Sequence, residues 1–572
     1  MDRTTQLTAR RTELTRPVRT SGSPPGSGRG EIVRSGTHVY DPAGPAGSLH
    51  VRAAQVLEGN WTGRSTVPSR RLYPHQWSWD SAFIAIGLRH VSPLRAQTEL
   101  ETLLAAQWAD GRIPHIVFNP SVPLDAYFPS PDFWRSSTVG RATGAPRTVQ
   151  TSGIVQPPVH ALAAWLVHLA DPGLSRARGF LARVHPHLAA WHRYLLHRRD
   201  LGGGGLVSVV HPWEQGMDNS PAWDAPLSRV TPAPARSFRR ADLDHGAPED
   251  RPTDLDYGRY VRLATDYRDG GYADGSGEFA VEDPAFNALL IASEHALARI
   301  AHELGARGTA RYARAERLTA ALVDRLWDPA EGMFFCRDVR GGDVRGDARR
   351  GDVRGGDVQG GDVQGGDVQG GDARCEDAHH GDAHREGAHH GDARRKDARP
   401  GEARRDNAQR EDARGRGLIP ERTVSGLVPL LLPTLPRDIA TALVRTLRGP
   451  HFGLGGVTRL VPSYDLLGEA FDPHRYWRGP AWFNTGWLVE RGLRVHGEEA
   501  EADALREALL ESADASDFAE YVDPYTGEAC GAHDFGWTAA LALDLLHMRP
   551  GHGVSPMGTG TFDRSDKGGD RG

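Results

Sequence analysis

Residues 283–304 read DPAFNALLIASEHALARIAHEL. Their apolar side chains recur every three or four positions, which is the period of an α-helix with a buried face. Asp283 can accept hydrogen bonds at the helix N-terminus, and Pro284 suits the first helical turn. The stretch therefore predicts a helix that packs in a core.

The same period recurs along most of the chain and decides the fold class. Residues 159–169 repeat it after Pro157-Pro158. Strand-like alternation is scarce and is limited to short pieces such as Leu206–Val210. Further helical patterns cover residues 80–90, 94–108, 175–198, 309–327, 424–432, 436–447, 480–495, 499–514 and 535–547. The chain is therefore predicted to be all-α, with roughly eleven or twelve helices.

Composition argues against several classes of function. The 572 residues are 39% apolar and 25% charged, and the formal charge of -6 does not indicate binding to nucleic acid or to a membrane surface. Cys336, Cys375 and Cys530 have no metal-ligand spacing and are too few for a disulfide framework. Residues 1–31 lack the apolar run of a signal peptide. We therefore expect a cytoplasmic protein without metal, cofactor, nucleic-acid partner or membrane partner.

Three segments are expected to lie outside the folded domain at 49–549. They are the tails 1–48 and 550–572, rich in small and polar residues, and an insert at 340–417. In the insert, Asp recurs every five residues from 347 to 382, and almost nothing is large and apolar. Such a segment cannot bury enough surface to offset its conformational entropy, so disorder is the first interpretation. A β-solenoid with a five-residue period is the alternative.

Chemistry-bearing side chains concentrate in the loops between the helices. Residues 211–224, HPWEQGMDNSPAWD, hold two Trp, three acidic residues and an Asn. Aromatic faces beside carboxylates suit a sugar ring, which is part apolar and part hydroxyl. A carboxyl group against indole is partly desolvated, which raises its pKa and suits it to act as a general acid. The alternative is a packed loop with solvated acids.

Four other loops carry similar side chains, at residues 73–80, 150–157, 463–482 and 518–535. Six of the fourteen Trp lie in these loops or in residues 211–224: Trp77, Trp79, Trp213, Trp223, Trp477 and Trp482. Trp side chains that only filled a core would spread along the helices. The clustering therefore indicates a carbohydrate site built by loops at one end of a helical array.

Several of these motifs resemble glycoside hydrolase family 63, in particular its small bacterial branch of mannosylglycerate and glucosylglycerate hydrolases. The motifs are YPHQWSWDS at 73–81, WEQGMDNSP at 213–221, YWRGP at 476–480, and EY at 520–521 with WTAA at 537–540. Order and spacing agree across residues 53–335 and 418–548. The resemblance implies an (α/α)6 barrel with long loops at one end, and a reaction that inverts the anomeric centre.

The resemblance also implies two catalytic carboxyl groups. Asp218 would be the general acid that protonates the glycosidic oxygen, and Glu520 the general base that deprotonates a water molecule on the opposite face of the sugar. An inverting mechanism needs the two groups about 6.5–9.5 Å apart. Glu214 and Asp224 are rival acids in the same loop, and Glu214 could instead orient that loop.

A set of binding residues follows from the same resemblance. The implied sugar pocket consists of Tyr73, Trp77, Trp79, Asp80, Gln156, Trp213, Tyr476, Trp477 and Trp482. Arg251 and Tyr257 stand where the glycerate-specific branch holds the carboxylate, and Arg can donate two parallel hydrogen bonds to such a group. The alternative for Arg251 is a surface position in a charged loop. The chain departs from the pattern at His533-Asp534, where a Gln is expected, and the change could alter hydrogen bonding at the sugar or glycerate end.

The loop residues and the resemblance together imply an inverting α-glycosidase for a small glycoside. Glucosylglycerate is the first candidate substrate, mannosylglycerate the second and an oligosaccharide with α-glucosidic bonds the third. The non-hydrolytic alternatives are a sugar epimerase or lyase, which would rely on His or Tyr bases, and a non-catalytic sugar-binding protein, which would not need both Asp218 and Glu520. Because the branch often self-associates, a homo-oligomer is a further expectation.

Overall fold

The structure of the chain is a computed structural model, and it describes residues 45–244, 248–341 and 417–548. Within these ranges, twelve α-helices have eleven or more residues. They are α1 Pro45–Gly59, α2 Ser78–Leu88, α3 Pro93–Leu104, α4 His160–Ala170, α5 Phe180–Arg198, α6 Asp254–Asp269, α7 Pro284–Glu303, α8 Thr309–Leu326, α9 Arg437–Arg448, α10 Phe483–Val495, α11 Glu499–Ala515 and α12 Gly536–His547. The described part is mostly helical, which confirms the fold class in its coarse form.

Shorter elements connect these helices. The single-turn or two-turn α-helices are Pro131–Trp134, Ser136–Val139, Pro172–Ala177, Pro212–Gln215 and Asp224–Leu227. The 3₁₀ helices are Gly140–Thr143, Pro221–Trp223, Ala235–Ser237, Ala241–Asp244, Pro248–Asp250 and Val424–Leu431. The longest of these 3₁₀ helices, Val424–Leu431, is buried throughout and takes part in the core.

The helices form an inner and an outer layer. Every residue of α2 is buried, and α10 and α12 are buried up to their last turns. Elements that are buried on all sides belong inside a core, whereas α8, α9 and α11 bury one stripe and carry charged residues on the rest of their surface. The width of the apolar face therefore determines the layer: helices that are apolar all round lie inside, and helices with one apolar stripe lie outside.

Each inner element packs against two other inner elements. α2 packs on α4 and on α12, α7 packs on α4 and on the 3₁₀ helix Val424–Leu431, and α10 packs on that same 3₁₀ helix and on α12. Outer helices pack behind them, with α1 on α12, α3 on α2, α8 on α7 and α11 on α10.

Short antiparallel strands brace the loops at the N-terminal ends of the inner helices. They are β1 Gln76–Trp77, β2 Ile116–Val117, β3 Ser208–Val209, β4 Val281–Glu282, β5 Trp327–Asp328, β6 Met333–Phe334, β7 Arg337–Asp338, β8 Ala481–Trp482, β9 Tyr521–Val522 and β10 Ala529–Cys530. β1 pairs with β2, β5 with β6, β4 lies between β3 and β7, and β9 lies between β8 and β10. Because β1, β4 and β8 lead directly into α2, α7 and α10, the loops at this end are held close together.

Three elements differ from the sequence-based expectation. Residues 424–432, expected to be α-helical, contain the 3₁₀ helix Val424–Leu431 instead, and Pro429 within it has no amide hydrogen for an α-helical bond. α6 was not predicted, and its N-terminus is capped by Thr253, whose hydroxyl accepts a hydrogen bond from the amide of Asp256. α1 begins at Pro45, inside the stretch that was expected to be a tail. Residues 1–44, 342–416 and 549–572 lie outside the described ranges, so the disorder or solenoid predicted there stays a prediction.

Candidate active site

One cavity gathers most of the predicted site residues. It encloses about 800 Å³ including its open mouth, a size that suits a small ligand. Its walls are formed by Pro68, Tyr73, Trp77, Trp79, Asp80, His115, Tyr127, Phe128, Gln156, Trp213, Gly216, Asp218, Asp242, Arg251, Pro252, Tyr257, Tyr476, Glu520, Phe535 and Trp537. The fold thus brings together all of the predicted catalytic and binding residues except Trp477 and Trp482.

The cavity lies at the N-terminal ends of several helices. Trp79 and Asp80 stand in the first turn of α2, Trp537 in that of α12 and Tyr257 in that of α6. Gln156 precedes α4, and its Oε1 accepts a hydrogen bond from the backbone amide of Trp79 at 3.1 Å. Because a helix N-terminus carries partial positive charge, this end of the molecule favours polar and anionic groups.

The loop that carries Asp218 is anchored by Glu214, which is fully buried. Its carboxylate accepts hydrogen bonds from Nη1 and Nη2 of Arg199, at 2.7 and 2.8 Å. It also accepts hydrogen bonds from the backbone amides of Val155 and Val210, at 3.2 and 2.8 Å. A carboxylate with four donors is satisfied as an anion, so these contacts favour the loop-orienting interpretation of Glu214 over that of a rival acid.

Asp218 faces the cavity from a backbone that is held on both sides. The hydroxyl of Tyr260 donates a hydrogen bond to the carbonyl of Asp218 at 2.7 Å, and Nε1 of Trp223 donates one to the carbonyl of Met217 at 2.7 Å. Burial raises the pKa of Asp218 to about 7; the charge of Glu520 acts in the same direction, whereas Arg251 opposes it. A carboxyl group with this pKa is protonated in a large fraction of the molecules near neutral pH and can donate the proton.

The carboxylate of Glu520 is surrounded by donors. Oε1 accepts hydrogen bonds from the hydroxyls of Tyr73 at 3.0 Å and Tyr476 at 3.4 Å. Oε2 accepts one from the amide of Ala532 at 3.1 Å and lies 3.7 Å from Nη2 of Arg251. Burial raises the pKa of Glu520, while Arg251 and these three donors lower it. Donors directed at both oxygens stabilise the charged form, which is the form that a general base needs.

Gly531 makes room for this carboxylate. It has a φ of +73°, and a Cβ at this position would lie 2.6 Å from Oε2 of Glu520 and 3.0 Å from its Cβ. The next residue, Ala532, exchanges hydrogen bonds with Glu520, since the Glu520 amide donates to the Ala532 carbonyl at 2.7 Å. The chain around β9 and β10 therefore positions Glu520 closely and leaves no space for a side chain at 531.

The rest of the wall combines flat rings with polar groups. The rings of Tyr73 and Trp77 meet edge to face, with centroids 5.3 Å apart, and the ring of Trp213 lies 4.5 Å from that of His211. Burial raises the pKa of Asp80 well above its ordinary value, and the charge of Glu520 adds to the effect. Ring faces beside a few oriented polar groups are the features that a sugar pocket requires.

Trp477 and Trp482, which the sequence placed in the pocket, lie behind its wall. Each is 1% exposed, and their rings stack with centroids 3.8 Å apart. The ring of Trp482 meets that of Tyr476 edge to face at 5.0 Å. In this arrangement the two stacked rings support Tyr476, and the direct ligand contact expected of both residues stays a prediction.

Asp224 lies outside the cavity and is engaged elsewhere. Its Oδ2 and Oδ1 accept hydrogen bonds from Nη1 and Nη2 of Arg478, at 2.9 and 2.5 Å, and its side chain is half exposed. The pair ties the loop 211–224 to the loop that carries Tyr476. A carboxylate held by both branches of a guanidinium outside the cavity does not fit the role of a rival acid.

Sequence reasoning missed several wall residues, chiefly Tyr127 and Asp242. Tyr127 follows the stretch NPSVPLDA at 119–126, and the aromatic pair Tyr127-Phe128 in such a loop is a signal that could have been followed. Asp242 offers no such signal, because its neighbours are also charged. The two oxygens of Asp242 accept hydrogen bonds from Nε and Nη2 of Arg240, at 2.9 and 2.7 Å.

His533 and Asp534, where a Gln was expected, do not reach this cavity. Both are exposed and line a separate surface cavity together with Asn60 and Arg71. The carbonyl of Asp534 accepts a hydrogen bond from Nδ2 of Asn60 at 2.8 Å, which turns this segment away from the wall. The expected effect on the sugar or glycerate end is therefore not borne out by the position of these side chains.

Two kinds of feature are absent from the parts of the chain that the structure describes. No group of three or more His, Cys, Asp or Glu side chains there could hold a metal ion. No helix there is long and apolar enough to cross a membrane. The insert carries two His-His pairs, at residues 379–380 and 389–390, which are candidate metal ligands by residue type and lie outside these parts.

Comparison with known proteins gives a consistent result. The chain matches a model of the mannosylglycerate hydrolase MGH1-like glycoside hydrolase domain over residues 73–354 and 381–538. A mannosylglycerate hydrolase from Rubrobacter radiotolerans is 38% identical over 517 residues, which cover 88% of this chain and 98% of the relative. A glucosylglycerate hydrolase from Mycolicibacterium hassiacum is 35% identical over 522 residues, which cover 89% of this chain and 99% of the relative.

A solved structure agrees with these relatives. The crystal structure of GH63 mannosylglycerate hydrolase from Thermus thermophilus in complex with Tris and D-glycerate is 33% identical to this chain, with a TM-score of 0.66. The match covers 87% of this chain and 99% of the other. The motifs, the cavity and the matched length all point to one family. The chain therefore belongs to the MGH1-like glycoside hydrolases, a branch of glycoside hydrolase family 63, and it is a glycosidase.

Proposed function

We propose that the protein hydrolyses the α-glycosidic bond of a 2-O-hexosyl glycerate with inversion, using Asp218 as general acid and Glu520 as general base. The observation that carries the proposal is that these two residues, 302 positions apart in the sequence, line the same cavity. Their surroundings also differ as the two roles require. Asp218 has a pKa of about 7 set mainly by burial, whereas Glu520 faces a guanidinium and three hydrogen-bond donors.

In the proposed reaction, Asp218 gives its proton to the glycosidic oxygen, which leaves as the hydroxyl of glycerate. Glu520 takes a proton from water, and the water oxygen bonds to the anomeric carbon from the face opposite the leaving group. The products are glycerate and a sugar of inverted anomeric configuration. Glu520 then releases its proton to solvent, and Asp218 takes one up before the next turnover.

The sugar would lie against the ring faces of Tyr73, Trp77 and Trp213. Asp80 and Gln156 would accept hydrogen bonds from its hydroxyl groups, because both are buried polar residues in the cavity wall. Trp79 and Tyr476 complete the wall through ring faces, while Trp477 and Trp482 support Tyr476 from behind.

The glycerate carboxylate would bind Arg251. Its Nη2 is buried without a hydrogen-bond partner among the described residues, and the residue lines the cavity beside Tyr257. Glucosylglycerate remains the first candidate substrate. Mannosylglycerate is the second candidate, and the 38% identity to a relative that bears this substrate in its name supports keeping it in the test.

The proposal extends to the architecture of the whole chain. We infer that the inner elements close into an (α/α)6 barrel, since the contact order α2, α4, α7, Val424–Leu431, α10, α12 returns to α2. The outer helices α1, α3, α5, α8, α9 and α11 would complete the barrel, and α6 would belong to the loops. The same proposal includes a folded domain that begins with α1 at Pro45 instead of at 49, disorder in the remaining tails and in the insert, a cytoplasmic location and a homo-oligomer.

The test is a substrate panel. Purified protein is assayed with 2-O-α-glucosylglycerate, 2-O-α-mannosylglycerate, 2-O-α-glucosylglycerol and maltotriose, and release of free sugar is measured. We expect one glycerate glycoside to have the highest kcat/KM, and Asp218→Asn or Glu520→Gln to lower kcat by at least about a hundredfold. A preference for maltotriose would replace the proposal with an oligosaccharide α-glucosidase. Full activity of either folded variant would remove that residue from its role.

A further inference from the structure

Arg251 contacts every side chain that binds the Glu520 carboxylate. Its Nη1 donates a hydrogen bond to the hydroxyl of Tyr73 at 3.3 Å, and its Nη2 lies 3.7 Å from Oε2 of Glu520. Its guanidinium lies over the ring of Tyr476, 4.7 Å from the centroid. Because Tyr73 and Tyr476 are the two side chains that donate to Oε1 of Glu520, the guanidinium, the two phenols and the carboxylate form one contact group.

The guanidinium of Arg251 also has a donor that is available to a ligand. Nη2 is buried and has no hydrogen-bond partner among the described residues, although it lies within ion-pair distance of Glu520. Arg251 is also the only cation that stands within 4 Å of Glu520 in the described part of the chain. An unpartnered buried donor on a residue that lines a cavity is a natural partner for an anionic oxygen of a ligand.

We propose that the carboxylate of the aglycone and the carboxylate of Glu520 share Arg251, so that binding of an anionic aglycone strengthens Glu520 as a base. The proposal rests on the proposed function and deepens it. A carboxylate on Nη2 adds negative charge beside Glu520 and shares the positive charge that had stabilised it. Both changes disfavour the ionised form of Glu520, and a carboxylate that is less stable as an anion takes a proton from water more readily.

The enzyme would therefore discriminate between an anionic and a neutral aglycone partly through kcat and not only through KM. A glycoside without the carboxylate would leave Glu520 paired with Arg251, as a weaker base. Arg251 is then a positioning residue for Glu520 as well as a binding residue for the substrate. Selectivity for an anionic aglycone would follow even where a neutral glycoside fits the cavity equally well, because interactions that change in the transition state alter kcat.

Other titratable groups also face Glu520. They are Tyr73 before β1, Asp80 on α2, Tyr127 in the loop after β2, Asp218 in the loop 211–224, Tyr476 before β8 and Tyr521 in β9. All of them are present whichever substrate is bound. A difference between two substrates that differ only in the carboxylate therefore reports the effect of that carboxylate.

The first experiment compares a 2-O-α-hexosyl glycerate with the glycerol glycoside of the same sugar, which replaces the carboxylate with a neutral hydroxymethyl group. The acid limb of kcat against pH reports Glu520 in the substrate complex, and that of kcat/KM reports it in the free enzyme. We expect the acid limb of kcat to lie about one pH unit higher for the glycerate substrate. The acid limb of kcat/KM should coincide for the two substrates.

Two variants assign the effect to Arg251. Arg251→Met removes the shared charge and should abolish the difference between the two kcat profiles. Arg71→Met is the matched control, because Arg71 is exposed, lies outside the cavity and should leave the difference intact. Coincident kcat limbs in the unmodified enzyme would overturn the inference, and so would an undiminished difference in Arg251→Met. If neither glycerate glycoside is hydrolysed, the proposed function fails and the inference falls with it.

A second measurement does not depend on turnover. In Asp218→Asn, which lacks the other catalytic carboxyl group, each intact glycoside is bound at pH 6 in buffers of different ionisation enthalpy, and proton uptake is obtained by calorimetry. A group whose pKa rises on binding takes up protons. We expect uptake with the glycerate glycoside and none with the glycerol glycoside, and no uptake with either ligand in Asp218→Asn/Glu520→Gln. Equal uptake with both ligands, or none with the glycerate glycoside, would contradict the inference.

Discussion

The guanidinium of Arg199 donates hydrogen bonds to both oxygens of Glu214, at 2.7 and 2.8 Å, in an ion pair that is closed to solvent. Oε2 of Glu214 also accepts the amide of Val210, and Oε1 that of Val155. The pair therefore joins the start of the acid loop to the segment that carries Gln156. Removal of one buried partner leaves the other charge uncompensated, which costs far more than loss of an exposed pair.

Glu214→Gln is expected to lower the free energy of unfolding by about 2 kcal/mol, because buried Arg199 would lose the carboxylate on Nη1 and Nη2 and keep only Asp274, which accepts from its Nε at 2.8 Å. kcat should fall as well, since the position of Asp218 depends on this anchor. Urea unfolding and steady-state kinetics measure the two effects. Glu511→Gln is the control, because its pair with Arg459 is largely exposed and should contribute less than about 1 kcal/mol. Equal stabilities of the two variants would contradict the anchoring role.

The pH profile of hydrolysis should carry the signature of Asp218. Since burial raises the pKa of Asp218 to about 7, the acid is protonated below this pH and loses its proton above it. kcat/KM for a glycerate glycoside is therefore expected to fall as pH rises through about 7. An α-glycosyl fluoride needs no proton for its leaving group and should lack this alkaline limb. The same alkaline limb with the fluoride would show that another group controls it.

Gly531→Ala should lower activity with little loss of folded protein. The new Cβ would stand 2.6 Å from Oε2 of Glu520 and push the base away from its donors. Gly527 is a matched control in the same hairpin, because its φ is +74° but a Cβ there would meet nothing closer than Oγ of Ser512 at 4.0 Å. Both Ala variants carry the same backbone strain, so only Gly531→Ala should lose kcat. Equal kcat values in the two variants would mean that the space beside Glu520 is not needed.

Replacement of residues 342–416 by a short Gly-Ser linker is expected to leave hydrolysis intact. The chain on either side is already paired, since the amide of Asp338 donates a hydrogen bond to the carbonyl of Gly417 at 2.8 Å and Arg337 bridges to Leu418. A linker can therefore join the two ends without strain. kcat/KM of the shortened and full-length proteins is the measurement. A folded but inactive shortened protein would assign the insert a part in catalysis.

Apolar periodicity predicted most of the helices because a helix that buries one face has Leu, Ile and Ala every three or four positions. α6 escaped this reasoning for a physical reason. Its buried residues, Tyr257, Tyr260 and Val261 among them, are interspersed with Asp and Arg in a segment that resembles a charged loop. Tertiary contacts with the aromatic wall, such as the ring of Tyr257 near that of Trp213 at 6.0 Å, accompany the helix and cannot be read from its own pattern.

The sequence predicted which residues belong to the site better than it predicted which of them line the cavity and which stand behind its wall. Clustered Trp and acidic residues marked the right loops, and the motifs around Asp218 and Glu520 indicated which residues would meet. Spacing could not distinguish Tyr476, which lines the cavity, from Trp477, which stacks behind it. The direction of a side chain in an irregular loop is set by packing against distant segments, so it cannot be inferred from the spacing of residues within the loop.

An inverting pair of acid and base, Asp218 and Glu520, fixes the configuration of the sugar that is first released. Proton NMR of the anomeric signals during the first minutes of hydrolysis of the preferred α-glycoside measures this configuration. We expect the β-anomer of the free sugar to appear first and the α-anomer to follow only by mutarotation. Initial release of the α-anomer would contradict the assignment of Asp218 and Glu520, because it would require a nucleophilic carboxylate and retention of configuration.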